Sequence, residues 1–579
     1  MPGRWAILFL VLAIGLPWPV LGKPVIEVII DGVDDDFEDN IRLFLTLEQQ
    51  KEHPLMSEGR LQRLYQKAPD EIAAALQPFG YYQPDISSEL LQREDEVWEA
   101  RFQVDPGPAI LIASVNLDIT GPMREDPALE QLIETRAPEV GQPLLHSAYE
   151  SFKSRLSGLA ADHGYLEARF TETRLEIDLE TYEARISLGL ESGPRYRFGE
   201  INVEQEVITD ELLQRYIPFS RGDPYRLDQV IALQQALNDT NYFQVTQVGP
   251  GKHQPESLEI PINIRLEPRK SHRWDFGVGY GTDTGARAKV GWRMPRVNER
   301  GHRLATYAEI SEIGYDVGAN YRVPVLNPRT DQLTYSISQE KEETDTNESI
   351  LTDFGVSLAH NRGRWRETLS LNYQLEDFSV ADDSGDSVLL IPSVVWSRVW
   401  GNDFVNALDG VRLDFGVRGG TEKVVSDTDF LQMRTGLKFI YSFTERDRVL
   451  LRGTLGTTET DDFDQLPSSI RFFAGGSQSV RGYAYESLGP TNENGDVVGG
   501  RHLVIGSIEF ERYFDNNWGL AVFFDMGNAI DDFNDDLEEG AGFGVRWKSP
   551  VGPVRIDVAN AISTEDQDWR VHVSIGPDL

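Results

Sequence analysis

The sequence predicts two architectures in series: α+β repeats of β-α-α-β-β order, then a transmembrane antiparallel β-barrel. Three observations carry this prediction. The N-terminus has the layout of an export signal, the first half repeats one helix–strand pattern three times, and the second half alternates apolar and polar residues.

Export sets the compartment. Arg4 precedes an apolar run from Trp5 to Leu16, and compact residues follow at Val20 and Gly22. That order reads as a secretory signal peptide over residues 1–22, cut after Gly22. The run is too short for a membrane anchor, and Pro17 and Pro19 lie near its end. No later window holds the roughly 20 apolar residues that a spanning helix requires. The formal charge of -39, from 55 Lys+Arg against 94 Asp+Glu, argues against nucleic-acid binding. Cysteine is absent, which excludes disulfide scaffolds and thiolate metal sites.

The repeats are expected at 23–106, 107–193 and 194–268. In the first, Val25–Ile30 reads as a strand and Phe37–Gln50 as a helix. A second helix pair then ends at Gly80-Tyr81-Tyr82, with strands near Ile86–Leu91 and Val97–Val104. The second has strands at Ile110–Ile119, Ala168–Ile177 and Glu183–Leu190. Its longer helix, Ser147–Ala161, places Tyr149, Phe152, Leu156 and Leu159 on one face. The third has a helix at Asp210–Tyr216 and another from Leu227, with Val230, Leu233 and Leu237 inward. Tyr81, Tyr165 and Tyr242 mark equivalent corners, expected to pack rather than to bind a ligand. A sheet covered on one face by two helices is a sufficient core for each unit, and its open edges can accept an added strand.

The barrel is expected over 269–579. Trp274, Phe276, Val278 and Tyr280 alternate with Asp275, Gly277, Gly279 and Gly281; Leu369, Leu371, Tyr373 and Leu375 alternate with polar residues in the same way. A period of two with aromatic and aliphatic residues on one face suits a strand between lipid and a polar lumen. A soluble sandwich alternates too, but the export signal and the number of strands favour the barrel. Strands of about 10 residues allow about 14 to 18 of them. Met294–Asn298 and Asn327–Thr330 read as short turns. Glu340–Glu348, Glu376–Asp386 and Asp531–Glu539 read as long outer loops whose charge serves solvation.

Late in this half stands Arg471-Phe472-Phe473-Ala474-Gly475-Gly476-Ser477-Gln478-Ser479-Val480-Arg481-Gly482-Tyr483. Its glycines permit tight turns, and Arg481 must find acceptors if it leaves water. A polar, acidic lumen would supply them. By alternation with Leu520, Val522 and Phe524, Asp525 points inward, and Ser507, Glu509 and Glu511 share one face of the preceding strand. Arg481 is therefore expected to meet Asp525 and Glu509 inside the barrel.

Val480-Arg481-Gly482-Tyr483, Phe524-Asp525-Met526-Gly527-Asn528, and Gly542-Phe543-Gly544-Val545-Arg546 with Ser549-Pro550-Val551-Gly552-Pro553 together resemble motifs of the BamA-like superfamily of outer-membrane assembly proteins. The resemblance implies POTRA repeats, a barrel of sixteen strands, and protein insertion rather than bond-making chemistry. Three repeats and the ending Gly576-Pro577-Asp578-Leu579 resemble the TamA branch. That branch implies a TamB-like inner-membrane-anchored partner docking on the repeats, with unfolded outer-membrane proteins and autotransporters as clients in a setting of outer-membrane lipid. It also implies a gate between the first strand (Trp274, Phe276, Gly277, Gly279) and the last (Val571, Val573, Ile575). A secretion pore exporting one dedicated protein is the alternative, and an outer-membrane hydrolase a weaker one. No Gly-x-Ser-x-Gly, His-Glu-x-x-His or phosphate-loop motif is present, no His is followed by Glu, and no cofactor is expected.

Overall fold

The computed structural model describes residues 25–93, 97–401, 407–514, 517–549, 552–564 and 569–575. The expected signal peptide lies outside the described residues, as do Gly576–Leu579.

The first repeat comprises β1 (Val25–Asp31), α1 (Asp35–Phe44), α2 (Thr46–Gln50), α3 (Glu58–Leu76), β2 (Asp85–Gln92) and β3 (Val97–Asp105). Its sheet order is β1-β3-β2, with β1 parallel and β2 antiparallel to the central strand. Asp34 caps α1, its carboxylate accepting from Phe37 N–H at 3.1 Å, and acidic residues fill the first turn. The single helix expected over Phe37–Gln50 is two. Leu45 is extended (φ -75, ψ 106), which aims both Leu45 and Leu47 into the core, where they are fully buried. The expected second helix pair is instead one helix, α3, that carries Pro69 in its interior and ends in a 3-10 turn. Ile26, Val28, Ala100, Phe102, Ile41, Leu61 and Ile72 close this core.

The second repeat comprises β4 (Leu111–Thr120), α4 (Pro127–Arg136), α5 (His146–Asp162), β5 (Arg169–Asp178) and β6 (Glu183–Glu191), with sheet order β4-β6-β5. Tyr149, Phe152 and Leu156 of α5 are buried against Ile112, Ile186 and Leu188. Asp126 ties the unit together. Its carboxylate accepts from Ala128 N–H (3.1 Å), capping α4, and from His163 Nδ1 (2.8 Å) and Tyr165 Oη (3.3 Å).

Burial alone would push the Asp126 carboxyl up. The hydrogen bonds from His163 and Ala128 and the charges of His163 and Arg195 outweigh it and hold the group below the ordinary aspartate range. A depressed folded-state value stabilises above the unfolded value, and the stabilisation is lost as pH falls through the folded one. Asp126→Asn should therefore destabilise this repeat by about 2 kcal/mol at neutral pH. Hydrogen exchange of α4 and α5 should show the wild-type advantage shrinking below the ordinary aspartate range; a variant as protected as wild type at neutral pH would contradict this.

The third repeat comprises β7 (Arg197–Glu204), α6 (Asp210–Tyr216), α7 (Leu227–Asp239), β8 (Phe243–Pro250) and β9 (Glu259–Pro268), with sheet order β7-β9-β8. Tyr165 and Tyr242 are buried and Tyr81 is half-buried, each at the corner after a helix.

Sixteen strands, paired in chain order, form the fourth sheet. They are β10 (Arg273–Gly281), β11 (Gly285–Met294), β12 (Arg303–Ser311), β13 (Gly314–Pro324), β14 (Gln332–Glu343), β15 (Asn347–Arg362), β16 (Trp365–Val380), β17 (Asp383–Gly401), β18 (Gly410–Gly420), β19 (Phe430–Ser442), β20 (Asp447–Glu459), β21 (His502–Tyr513), β22 (Trp518–Ile530), β23 (Glu538–Ser549), β24 (Gly552–Ala561) and β25 (Trp569–Ile575). Each neighbouring pair is antiparallel, and the sheet curls into a nearly closed barrel. The expected apolar faces point outward: Phe276 is 81% exposed and Val278 92%. At the end of the barrel where β10 begins, Trp274 lies beside Trp292, Trp365 beside Trp400 and Trp518 beside Trp547, an aromatic girdle of the kind that marks a membrane interface.

Two of the three expected acidic outer loops are strand. β14 and β15 are joined at 344–346, and β16 and β17 at 381–382, so most of Glu340–Glu348 and Glu376–Asp386 is paired. These long strands carry the wall beyond the lipid. Glu376 does not serve solvation: it is buried and accepts from Ser349 (3.0 Å) and Ser468 (2.8 Å). The longest connection in the barrel is 460–501, and it folds inward.

Candidate functional site: a lumen hook beside an open seam

The connection 460–501 returns into the barrel because its own backbone and the wall satisfy it. Phe472 pairs with Gly500 and Ala474 with Leu488, which closes the loop on itself. Val480 and Tyr483 then pack on Ala561 of β24. Gly482 adopts φ +104, and a side chain there would strike the backbone of Asn560 and Ala561 at about 2.9 Å. Opposite, a side chain on Gly540 of β23 would strike the Arg481 carbonyl. Glycine on both sides lets loop and wall touch backbone to backbone.

Arg481 is 2% exposed. Its backbone N–H and Nε donate to Asp525 Oδ2 at 3.1 and 2.7 Å, and one Nη donates to Asp525 Oδ1 at 2.9 Å. The other Nη donates to Glu509 (2.7 Å) and Asp557 (3.1 Å), and the guanidinium lies over the Phe523 ring. The sequence brings Asp525 and Glu509 to this point through the period of two on β22 and β21. Asp557 on β24 was not anticipated.

A second guanidinium shares these acceptors. Arg546 of β23, fully buried, donates to Glu509 (2.6 Å), Glu511 (2.9 Å) and Asp557 (2.6 Å). Arg448 of β20 donates to Glu511 at 2.6 Å and to Tyr513, and Arg452 donates to Ser507 at 3.1 Å. Glu509, Glu511, Asp525 and Asp557 thus interleave with Arg448, Arg452, Arg481 and Arg546 along the inner wall of β20–β24. Buried ions persist only when charge and hydrogen bonds are both met, and here they are. Each of these positions follows the inward parity of its strand; what the sequence hid was which strands sit side by side across the hook.

The same loop reaches both ends of the sheet. Ser477 donates through N–H (2.9 Å) and Oγ (2.5 Å) to Asp283, in the turn after β10. Gly482 N–H donates to Nε2 of His572 on β25 at 3.0 Å. His572 Nδ1 lies 3.9 Å from Asp283 and has no hydrogen-bond partner among the described residues. Neither His572 nor Asp283 was singled out from sequence, because their importance comes from lying on opposite sides of one edge.

That edge is the seam. Among the described residues no ladder joins β10 to β25. Val573 N–H donates to Thr282 Oγ1 at 3.4 Å, beyond the end of β10, so residues 273–280 have no strand partner on that side among the described residues. Trp274 and Phe276 project outward from β10, as do Val571 and Ile575 from β25, all well exposed. Gly277 and Gly279 lie on the inner side, opposite Lys289 and Arg287.

A sixteen-stranded barrel with small mixed repeats before it and a basic hook pinned in its lumen defines a class of outer-membrane barrel. The chain belongs to the Omp85 superfamily: residues 273–578 match the Omp85 superfamily domain. Residues 27–106 match the family described as POTRA domain TamA domain 1, and 196–269 the one described as surface antigen variable number repeat. The barrel accordingly lies in the bacterial outer membrane with the repeats in the periplasm. Curated relatives include the outer membrane protein assembly factor BamA of Nitratidesulfovibrio vulgaris, 21% identical over 82% of this chain and 62% of the relative. The same factor from Neisseria meningitidis serogroup B is 20% identical over 67% of this chain and 57% of the relative. The chain therefore spans less than two thirds of these relatives. Among solved structures, BamA from Haemophilus ducreyi lacking POTRA domains 1-3 superposes with a TM-score of 0.64 at 18% identity, covering 81% of this chain and 99% of that one.

Proposed function

We propose that the protein inserts or translocates other proteins at the outer membrane, with the free edge of β10 as the template for an incoming strand. The observation that carries this is the incomplete seam. An unfolded barrel strand cannot enter lipid with its backbone unpaired, and residues 273–280 have no strand partner on the β25 side among the described residues. The hook fits the same role: by holding Asp283 and His572 it steadies the two sides of a seam with no ladder among the described residues. The work is pairing and release, not bond-making catalysis.

Within the superfamily, the match of the first repeat to a TamA-type POTRA domain supports a TamA-like module with a TamB-like, inner-membrane-anchored partner. The first sheet leaves the outer edges of β1 and β2 available for strand addition, and autotransporters fit the role of client. Reconstituted in vesicles, the full chain should speed the insertion of an unfolded β-barrel client, read as protease-protected, heat-modifiable product. Equal rates with and without the protein would overturn the assignment.

A further inference from the structure

The inner wall of the barrel is not acidic throughout. At the periplasmic ends of β10–β13, Arg273 stands directly opposite Arg293, and Arg303 directly opposite Arg322. These four, with Arg269 and Lys270 from the segment entering β10, line a cavity of about 520 Å³. Like charges set opposite one another in a sheet are destabilising unless an anion lies between them. Asp275 serves the first pair, accepting from Arg273 at 3.1 Å and lying 3.0 Å from Arg293. Arg303 donates to Tyr242 Oη at 3.3 Å and stacks on that ring, a neutral partner. Among the described residues no carboxylate pairs with Arg322 or Lys270. In a chain with a formal charge of -39, this is a concentration of positive charge awaiting an anion.

We propose that this vestibule binds the phosphate of an anionic phospholipid headgroup. Guanidinium forks match phosphate oxygens, and clustered basic side chains at a membrane surface recognise anionic headgroups. Three features favour lipid over a soluble phosphate. Trp274 and Trp292 alternate with Arg273 and Arg293 on the same strands and point outward, so the cations lie at the depth of the aromatic girdle, where headgroups lie. The cavity adjoins the edge of β10 that has no strand partner among the described residues. Gly277 and Gly279 place no side chain on the inner wall behind that edge. The inference stands on the charge and position of the cavity and does not require strand templating.

The test is native mass spectrometry of the detergent-solubilised full chain, offered phosphatidylglycerol or phosphatidylcholine, with inorganic phosphate as competitor. Wild type should retain phosphatidylglycerol over phosphatidylcholine, and Lys270→Gln with Arg322→Gln should weaken that retention about tenfold. Arg322→Lys should keep it, and heat-modifiability should show all three barrels folded. Equal retention by wild type and the double variant would overturn the proposal. So would complete displacement by inorganic phosphate, which would mark a site for a soluble anion, or displacement by an acidic peptide at equal concentration, which would mark a peptide site.

Discussion

Arg481→Ala should cost the barrel about 3 to 5 kcal/mol, the loss associated with breaking a buried ion pair by removing one partner. The variant removes the guanidinium that three buried carboxylates, Asp525, Glu509 and Asp557, share. Asp525 loses two charged donors at once, Nε and one Nη, and keeps the backbone N–H of residue 481 at 3.1 Å, Ser507 Oγ at 2.6 Å and Arg452 at 3.9 Å. Arg546 cannot compensate, because Glu509, Glu511 and Asp557 already occupy its donors. The loop would lose its anchor as well as its charge, and with it the grip of Ser477 on Asp283 and of Gly482 on His572. Arg481→Lys, which keeps the charge but lacks the fork that reaches three carboxylates, should fall between the two. The shift of the folded band on heating, measured with client insertion, reads both effects. A variant with wild-type heat stability and wild-type insertion would show that the hook neither pins the barrel nor serves its work.

How far the sequence reached follows from which interactions are periodic. The outward face of β10 and the inward placing of Asp525 and Glu509 rest on a period of two, so they were legible. The residues the sequence did not single out are defined by neighbours distant in the chain. Asp557 joins the hook only because β24 curves round to face it, and His572 meets Asp283 only because the sheet returns on itself. The acidic stretches at Glu340–Glu348 and Glu376–Asp386 mislead because charge density imitates a loop, whereas these residues ride on strands that outrun the membrane. Leu45 breaks the first helix for a similar reason: burial of its side chain overrides a pattern with good local helix propensity.

The second large effect is expected at the seam. A hook that bridges the first and last strands can steady them while leaving them free to part, whereas a covalent bridge removes that freedom. The chain has no cysteine, so an engineered pair reports without background. A side chain at Gly281 would lie on the inner face of β10, 3.9 Å from the Val573 carbonyl, so its partner is the next residue, Ser574, which shares the inner face of β25 with His572: Gly281→Cys with Ser574→Cys sets both thiols on one side of the seam. The decisive measurement is the rate at which vesicles holding this double variant insert an unfolded barrel client, oxidised and then reduced. The expected result is a fall to the rate of protein-free vesicles when the bridge is closed, with recovery on adding reductant. Undiminished insertion through a fully bridged seam would contradict strand templating at β10.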